Sequence, residues 1–85
     1  MKLDQRIMRL IAVGASISAN CQPCLEINAA EALKSGADAQ EIAEAIQVGK
    51  LVRQGAASKM DRFAQEQNLV ALASVKIAEG GCGCN

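Results

Sequence analysis

The sequence lacks histidine and nearly all aromatic residues. Its 85 residues include no His, no Trp, no Tyr and a single Phe. Without His the chain lacks the side chain used most often for proton transfer near neutral pH, which excludes Ser–His and Cys–His nucleophiles and Cys₂His₂ zinc sites. Nine basic and nine acidic residues leave no net charge. Nucleic-acid binding is not expected, because it needs a basic surface for phosphates and, for single strands, aromatic side chains that stack on bases.

Features typical of β-strands and of membrane spans are also missing. There is no Thr, only one Pro and no stretch of strict apolar–polar alternation, whereas Ala occurs 16 times. No apolar run reaches the roughly 18 residues needed to cross a bilayer. The first 20 residues do not form a good secretion signal, because Asp4 lies in the basic part and Asn20 precedes the first cysteine. We expect an all-α protein of the cytoplasm that does not bind a membrane.

The spacing of apolar residues predicts four helices. We expect them over residues 4–19, 21–35, 38–67 and 69–79. Asp4 and Asp38 are the predicted N-caps of the first and third helices, with Glu41 completing a capping box, and Gly36 is the predicted cap that ends the second helix. Residues 1–79 would then form one small helical domain, and the glycine-rich residues 80–85 a flexible tail.

Apolar surface is more abundant than a small bundle needs. Val48 and Leu51 widen the apolar face of the third predicted helix, and the fourth is apolar on nearly every side. A monomer of this size cannot cover so much apolar surface, so we expect a homo-oligomer. The alternative is a small monomeric bundle with scattered exposed apolar side chains.

Four cysteines are the strongest candidates for chemistry. Cys21 and Cys24 form a C-x-P-C motif at a predicted helix start, with Pro23 in the first turn. At positions i and i+3 the two sulfurs share a face and are close enough to form a disulfide. The helix N-terminus stabilises a thiolate and is expected to lower the cysteine pKa, and thiolates attack disulfides and peroxides. The motif predicts a redox pair, although a thioredoxin fold is not expected because no strand precedes Cys21.

Other interpretations of the cysteines remain open. Cys21 and Cys24 could be apolar core residues, or they could join Cys82 and Cys84 in a four-thiolate site for zinc or an iron–sulfur cluster. The C-x-C pair in the tail could also exchange disulfides with Cys21 and Cys24, or it could be an incidental exposed or metal-scavenging pair.

A basic cluster on the third predicted helix has two interpretations. It is either exposed surface, including the rim of a subunit interface, or a site for an anionic substrate. The cluster consists of Lys50, Arg53, Lys59 and Arg62.

Several segments around the C-x-x-C motif match a known pattern. They are Leu3-Asp4-Gln5-Arg6, Leu10-Ile11, the run from Cys21 to Ala30, Gly36-Ala37, and the run from Glu41 to Ile46. Over about residues 3–64 the chain resembles the carboxymuconolactone decarboxylase and alkylhydroperoxidase D-like family. The resemblance implies an all-helical fold and an oligomer such as a trimer or hexamer. It also implies peroxide and disulfide chemistry, since the alkylhydroperoxidase D branch uses C-x-x-C and the decarboxylase branch generally lacks it.

The resemblance also implies roles for individual residues. Cys24 would attack peroxide and Cys21 would be the resolving partner. The proton relay of the redox branch joins a Glu and a His, and this chain has Arg9 and Asn28 at those positions. Neither side chain can transfer a proton near neutral pH. Asn28 could donate a hydrogen bond to a thiolate or a bound water, and Arg9 could stabilise a thiolate by its charge.

Together these observations predict an antioxidant-type thiol–disulfide redox enzyme with a weakened proton relay. It would reduce a peroxide or a disulfide at Cys21 and Cys24 without a bound cofactor or metal. Electrons would come from a reducing dithiol protein or a small-molecule donor, with Cys82 and Cys84 as accessory residues. The alternatives are a metal-binding module and an oligomeric family member without redox activity.

Overall fold

The computed structural model describes residues 1–67 and contains three helices in that part of the chain. They are α1 (Gln5–Ser18), α2 (Gln22–Lys34) and α3 (Ala39–Glu66). Residues 1–67 contain no β-strand. The predicted all-α fold and the first three helices are therefore confirmed. The predicted fourth helix and the cysteine-bearing tail lie outside the described residues.

Local capping groups set the ends of these helices. The Ile7 backbone N–H donates to Asp4 Oδ1 over 2.8 Å at the start of α1. At the start of α3 the Glu41 N–H donates to Asp38 Oδ1 over 2.7 Å, and the Asp38 N–H donates back to Glu41 Oε1 over 3.1 Å. These bonds satisfy backbone donors that have no partner within the helix. The predicted N-cap and capping box are confirmed.

Two left-handed residues make the turns between helices. Asn20 has φ +56 between α1 and α2, and Gly36 has φ +100 just after α2. Asn tolerates this conformation better than most residues, and Gly adopts it without a Cβ clash. The turn at Asn20 places the first cysteine directly beside the end of α1.

Helix α1 lies between the other two helices and forms most of the core. Val13 of α1 packs with Ala32 of α2 and Ala37, and these are the buried apolar residues of the described chain. Helices α1 and α3 approach closely where Gly14 meets Gly49. The Ser18 hydroxyl donates to the Gly49 carbonyl over 3.0 Å, and Arg6 forms an ion pair with Glu41. The two glycines thus determine how α3 lies on α1.

The second half of α3 extends beyond this core. Every residue from 51 to 67 is exposed, and large apolar side chains there have more than half of their surface accessible. These side chains are Leu51, Val52, Met60 and Phe63. The described residues therefore leave an apolar face of α3 uncovered. None of the helices in residues 1–67 combines the length and the apolar character needed to cross a bilayer.

Candidate functional site

The C-x-x-C motif occupies the first turn of α2. Cys21 is the N-cap residue and Pro23 follows in the first turn, where the N–H that proline lacks would have had no helical partner. The Cys24 backbone N–H donates to Cys21 Sγ over 3.3 Å. Cys21 itself is anchored to α1, because its N–H donates to the Ser16 carbonyl over 3.0 Å. The motif is therefore held by the end of α1 as well as by its own helix.

Cys21 and Cys24 form a disulfide. Their Cα atoms are 5.2 Å apart and the two sulfurs are bonded. Cys24 is exposed and Cys21 is half-buried. The expected proximity of the two sulfurs is confirmed, and the alternative of two buried core cysteines is wrong for Cys24. Such a disulfide can accept two electrons and return to a dithiol.

Arg9 and Asn28, the two relay positions, contact each other. Arg9 Nη1 donates to Asn28 Oδ1 over 2.9 Å, and Asn28 Nδ2 donates to the Cys24 carbonyl over 2.9 Å. Arg9 Nε is buried and has no hydrogen-bond partner within residues 1–67. The two side chains thus bond to one another, and Asn28 also bonds to the backbone of the motif. Their predicted roles toward a thiolate stay predictions.

An open pocket lies beside Cys21. It has a volume of about 530 Å³ and is formed where the end of α1 and the start of α2 meet α3. Its lining residues are Ser16, Ile17, Asn20, Cys21, Gln22, Leu25 and Arg53. Arg53 Nη1 donates to the Ile17 carbonyl over 3.2 Å and to Asn20 Oδ1 over 2.9 Å. Arg53 therefore lines the same pocket as one cysteine of the disulfide.

The match to known proteins covers all three helices. The family model described as the carboxymuconolactone decarboxylase family matches residues 1–66. The chain belongs to the carboxymuconolactone decarboxylase family. The resemblance predicted from the sequence is thereby confirmed at the level of the family. No curated protein and no solved structure matches the chain.

In this carboxymuconolactone decarboxylase family member, the match includes the disulfide but not the second cysteine pair. Cys82 and Cys84 lie beyond the matched region and outside the residues that the structure describes. Within residues 1–67, no three His, Cys, Asp or Glu side chains are grouped closely enough to hold a metal ion. The four-thiolate hypothesis needs the tail cysteines, so it stays a hypothesis.

In this family member, the sequence does not single out Arg53 as a neighbour of Cys21. The pattern groups Arg53 with Lys50, Lys59 and Arg62 as a basic cluster, and all four are exposed on α3. Only Arg53 of the four lines the pocket beside Cys21. A usable signal was its position four residues after Gly49, since residues i and i+4 share a helix face and a glycine marks close helix approach.

Proposed function

We propose that the chain is a thiol–disulfide redox protein that cycles Cys21 and Cys24 between dithiol and disulfide. The disulfide at the first turn of α2, with Cys24 exposed, is the observation that carries this proposal. In the dithiol form the Cys24 N–H that now points to Cys21 Sγ would stabilise a Cys21 thiolate. The proposal places the protein in a reducing compartment such as the cytoplasm, where the dithiol persists between turnovers.

Disulfides are better substrates for this site than peroxides. Reduction of a hydroperoxide by two thiols yields an alcohol, water and a protein disulfide, and the departing oxygen needs a proton during the reaction. Exchange with a disulfide releases a thiolate, whose conjugate acid has a pKa of about 8.5, and such a group leaves without a proton donor. Arg9 and Asn28 cannot supply that proton. We therefore propose disulfide exchange as the main activity and hydroperoxide reduction as a weak one.

The oxidised pair must be re-reduced for turnover. We propose a dithiol donor, either a protein or a small molecule, that attacks the Cys21–Cys24 disulfide and is itself converted to a disulfide. The exposure of Cys24 supports access by such a donor. Cys82 and Cys84 are proposed to act as an internal relay for these electrons.

A direct test measures the redox state of this pair alone. The full-length variant C82S/C84S is equilibrated with mixtures of reduced and oxidised dithiothreitol, alkylated and weighed by mass spectrometry. We expect a single two-electron transition between the dithiol form, which has two free thiols, and the disulfide form, which has none. The fully reduced protein should then convert a small disulfide to two thiols, and C24S should abolish turnover. If C24S turns over a disulfide as fast as its parent, the proposal is wrong.

We also propose that the chain assembles with copies of itself, as a trimer or hexamer. An apolar groove of about 490 Å³ runs between α1 and α3, and Ile11, Val48 and Val52 line it with more than half of their surface exposed. Large exposed apolar patches are typical of interaction surfaces, and the family resemblance implies an oligomer. Native mass spectrometry tests this directly, and V48D/V52D, in the groove, should lower the native mass to that of one chain. A monomeric parent would contradict the proposal.

A further inference from the structure

The pocket beside the disulfide combines a cysteine of the redox pair with a positively charged residue. Cys21 and Arg53 both line it, whereas Cys24 does not. Its volume of about 530 Å³ lies within the range of pockets that bind small molecules. A small disulfide entering this pocket would therefore contact Cys21.

Two hydrogen bonds hold the Arg53 guanidinium in place, and neither partner is an acidic group. Both of its hydrogen bonds come from Nη1 and go to neutral oxygens, the Ile17 carbonyl and Asn20 Oδ1. The ion pairs found within residues 1–67 involve other cations, and no acidic residue lines the pocket. Nη2 and Nε are not used in these two bonds, so they remain able to donate to a ligand. A guanidinium that is fixed in position and has further N–H donors is well suited to bind a carboxylate.

We propose that Arg53 is a specificity-determining residue that selects small disulfides bearing a carboxylate, and that Cys21 is the sulfur that attacks them. This inference rests on the proposed function and names its substrate class. Arg53 would hold the carboxylate while the substrate's sulfur–sulfur bond lies against Cys21. The order of attack differs from the peroxide reaction that the resemblance implies, in which Cys24 attacks first.

The reaction balances without any further reagent. The Cys21 thiolate attacks one substrate sulfur, the substrate's sulfur–sulfur bond breaks, and the first thiolate leaves. The Cys24 thiolate then attacks Cys21 Sγ, which releases the second thiolate and forms the Cys21–Cys24 disulfide. Two electrons pass from the cysteine pair to the substrate, and the two protons of the cysteine thiols end on the two product thiols.

The test compares anionic and neutral disulfides in a single turnover. Reduced C82S/C84S protein is mixed with excess 3,3′-dithiodipropionate or bis(2-hydroxyethyl) disulfide at low ionic strength, and oxidation of the pair is timed. We expect the anionic disulfide to react faster, and R53Q to lower the ratio of the two rates about tenfold, the value of one charged hydrogen bond. R53K should recover part of the ratio. R62Q, which removes an exposed cation of the same helix, should leave it unchanged.

A second measurement identifies the attacking sulfur. In C24S on the same background, one 3-mercaptopropionate half of 3,3′-dithiodipropionate should remain attached to Cys21 as a mixed disulfide, while the other half leaves as the thiol; mass and peptide mapping detect the adduct. C21S should form the adduct at least tenfold more slowly, because Cys24 does not line the pocket. An adduct on Cys24 of C21S that forms as fast and depends equally on Arg53 overturns the assignment.

Failure of this inference can be told apart from failure of the proposed function. If neither disulfide oxidises the reduced pair, the proposed function fails and the inference with it. If both disulfides react and R53Q leaves their ratio unchanged, only the role of Arg53 is overturned. Alkylation of Cys21 by iodoacetate relative to iodoacetamide gives a readout independent of redox chemistry, and R53Q should lower this ratio too.

Discussion

Arg9 donates a hydrogen bond from Nη1 to Asn28 Oδ1 over 2.9 Å and thereby joins α1 to α2. Asn28 in turn connects Arg9 to the C-x-x-C motif, because its Nδ2 donates to the Cys24 carbonyl. The family resemblance assigns these two positions to a Glu and a His that transfer protons. In this chain the two positions still meet, but an Arg and an Asn on them link the helices and cannot relay protons.

Restoring the two relay residues should create a better peroxidase. We expect R9E/N28H to raise the turnover of an organic hydroperoxide by at least tenfold, since general acid–base catalysis contributes about 10²- to 10⁴-fold. The two side chains already lie within hydrogen-bond distance of each other, so the geometry needs little change. Turnover is measured with a dithiol donor in excess. The single variants R9E and N28H are the controls, because neither completes the relay. A folded double variant with parental hydroperoxide turnover would contradict the prediction.

The contact between Gly14 and Gly49 should make the packing of α3 sensitive to one methyl group. A Cβ on residue 49 would collide with the Gly14 carbonyl oxygen and lie 2.8 Å from the Ile17 Cβ. We expect G49A to lower the free energy of unfolding by about 2 kcal/mol or more, because backbone cannot move aside cheaply. Urea unfolding followed by circular dichroism gives this value.

Gly55 provides the matched control on the same helix. Among residues 1–67, a Cβ there would have nothing within 4 Å, so the substitution is expected only to remove backbone freedom from a helix interior. We expect G55A to raise the free energy of unfolding by roughly 0.5–1 kcal/mol. Equal effects of G49A and G55A would show that the close approach of α1 and α3 does not decide stability.

The tail cysteines should affect re-reduction and leave the first exchange step alone. Truncation after Gly81 removes Cys82 and Cys84, and we expect slower return of the Cys21–Cys24 disulfide to the dithiol when a donor is added. C82S/C84S is the companion variant, because it keeps the length of the tail. Re-reduction is followed by alkylation at timed intervals. Unchanged re-reduction kinetics in both variants would contradict the proposal that Cys82 and Cys84 pass electrons to the Cys21–Cys24 disulfide.

Metal analysis separates the redox proposal from the four-thiolate alternative. We expect protein purified without oxygen to contain no stoichiometric zinc or iron, and its thiol count to stay the same after treatment with a chelator. Elemental analysis and a thiol titration measure both quantities. Stoichiometric metal that is lost in C82S/C84S would support the metal-binding module instead.

Much of the fold could be predicted because its signals are local. Asp4, the Asp38–Glu41 capping box and Gly36 act within one helical turn, so each of the first three predicted helices agrees with the structure once its capping residues are included. The proximity of Cys21 and Cys24 is local in the same sense, since positions i and i+3 share a helix face.

The site around the disulfide depends on how helices pack, and the sequence alone does not reveal that. Arg9 and Asn28 are separated by 19 residues and Arg53 and Asn20 by 33. Their meeting requires α1 to lie between α2 and α3 at one particular register, which the contact of Gly14 with Gly49 helps to set. The sequence by itself determined the first three helices, the family resemblance and the cysteine pair, because those depend on neighbouring residues. Only the tertiary structure decided that a cation from the middle of α3 lies in the pocket with Cys21, because that depends on side-chain packing between distant segments.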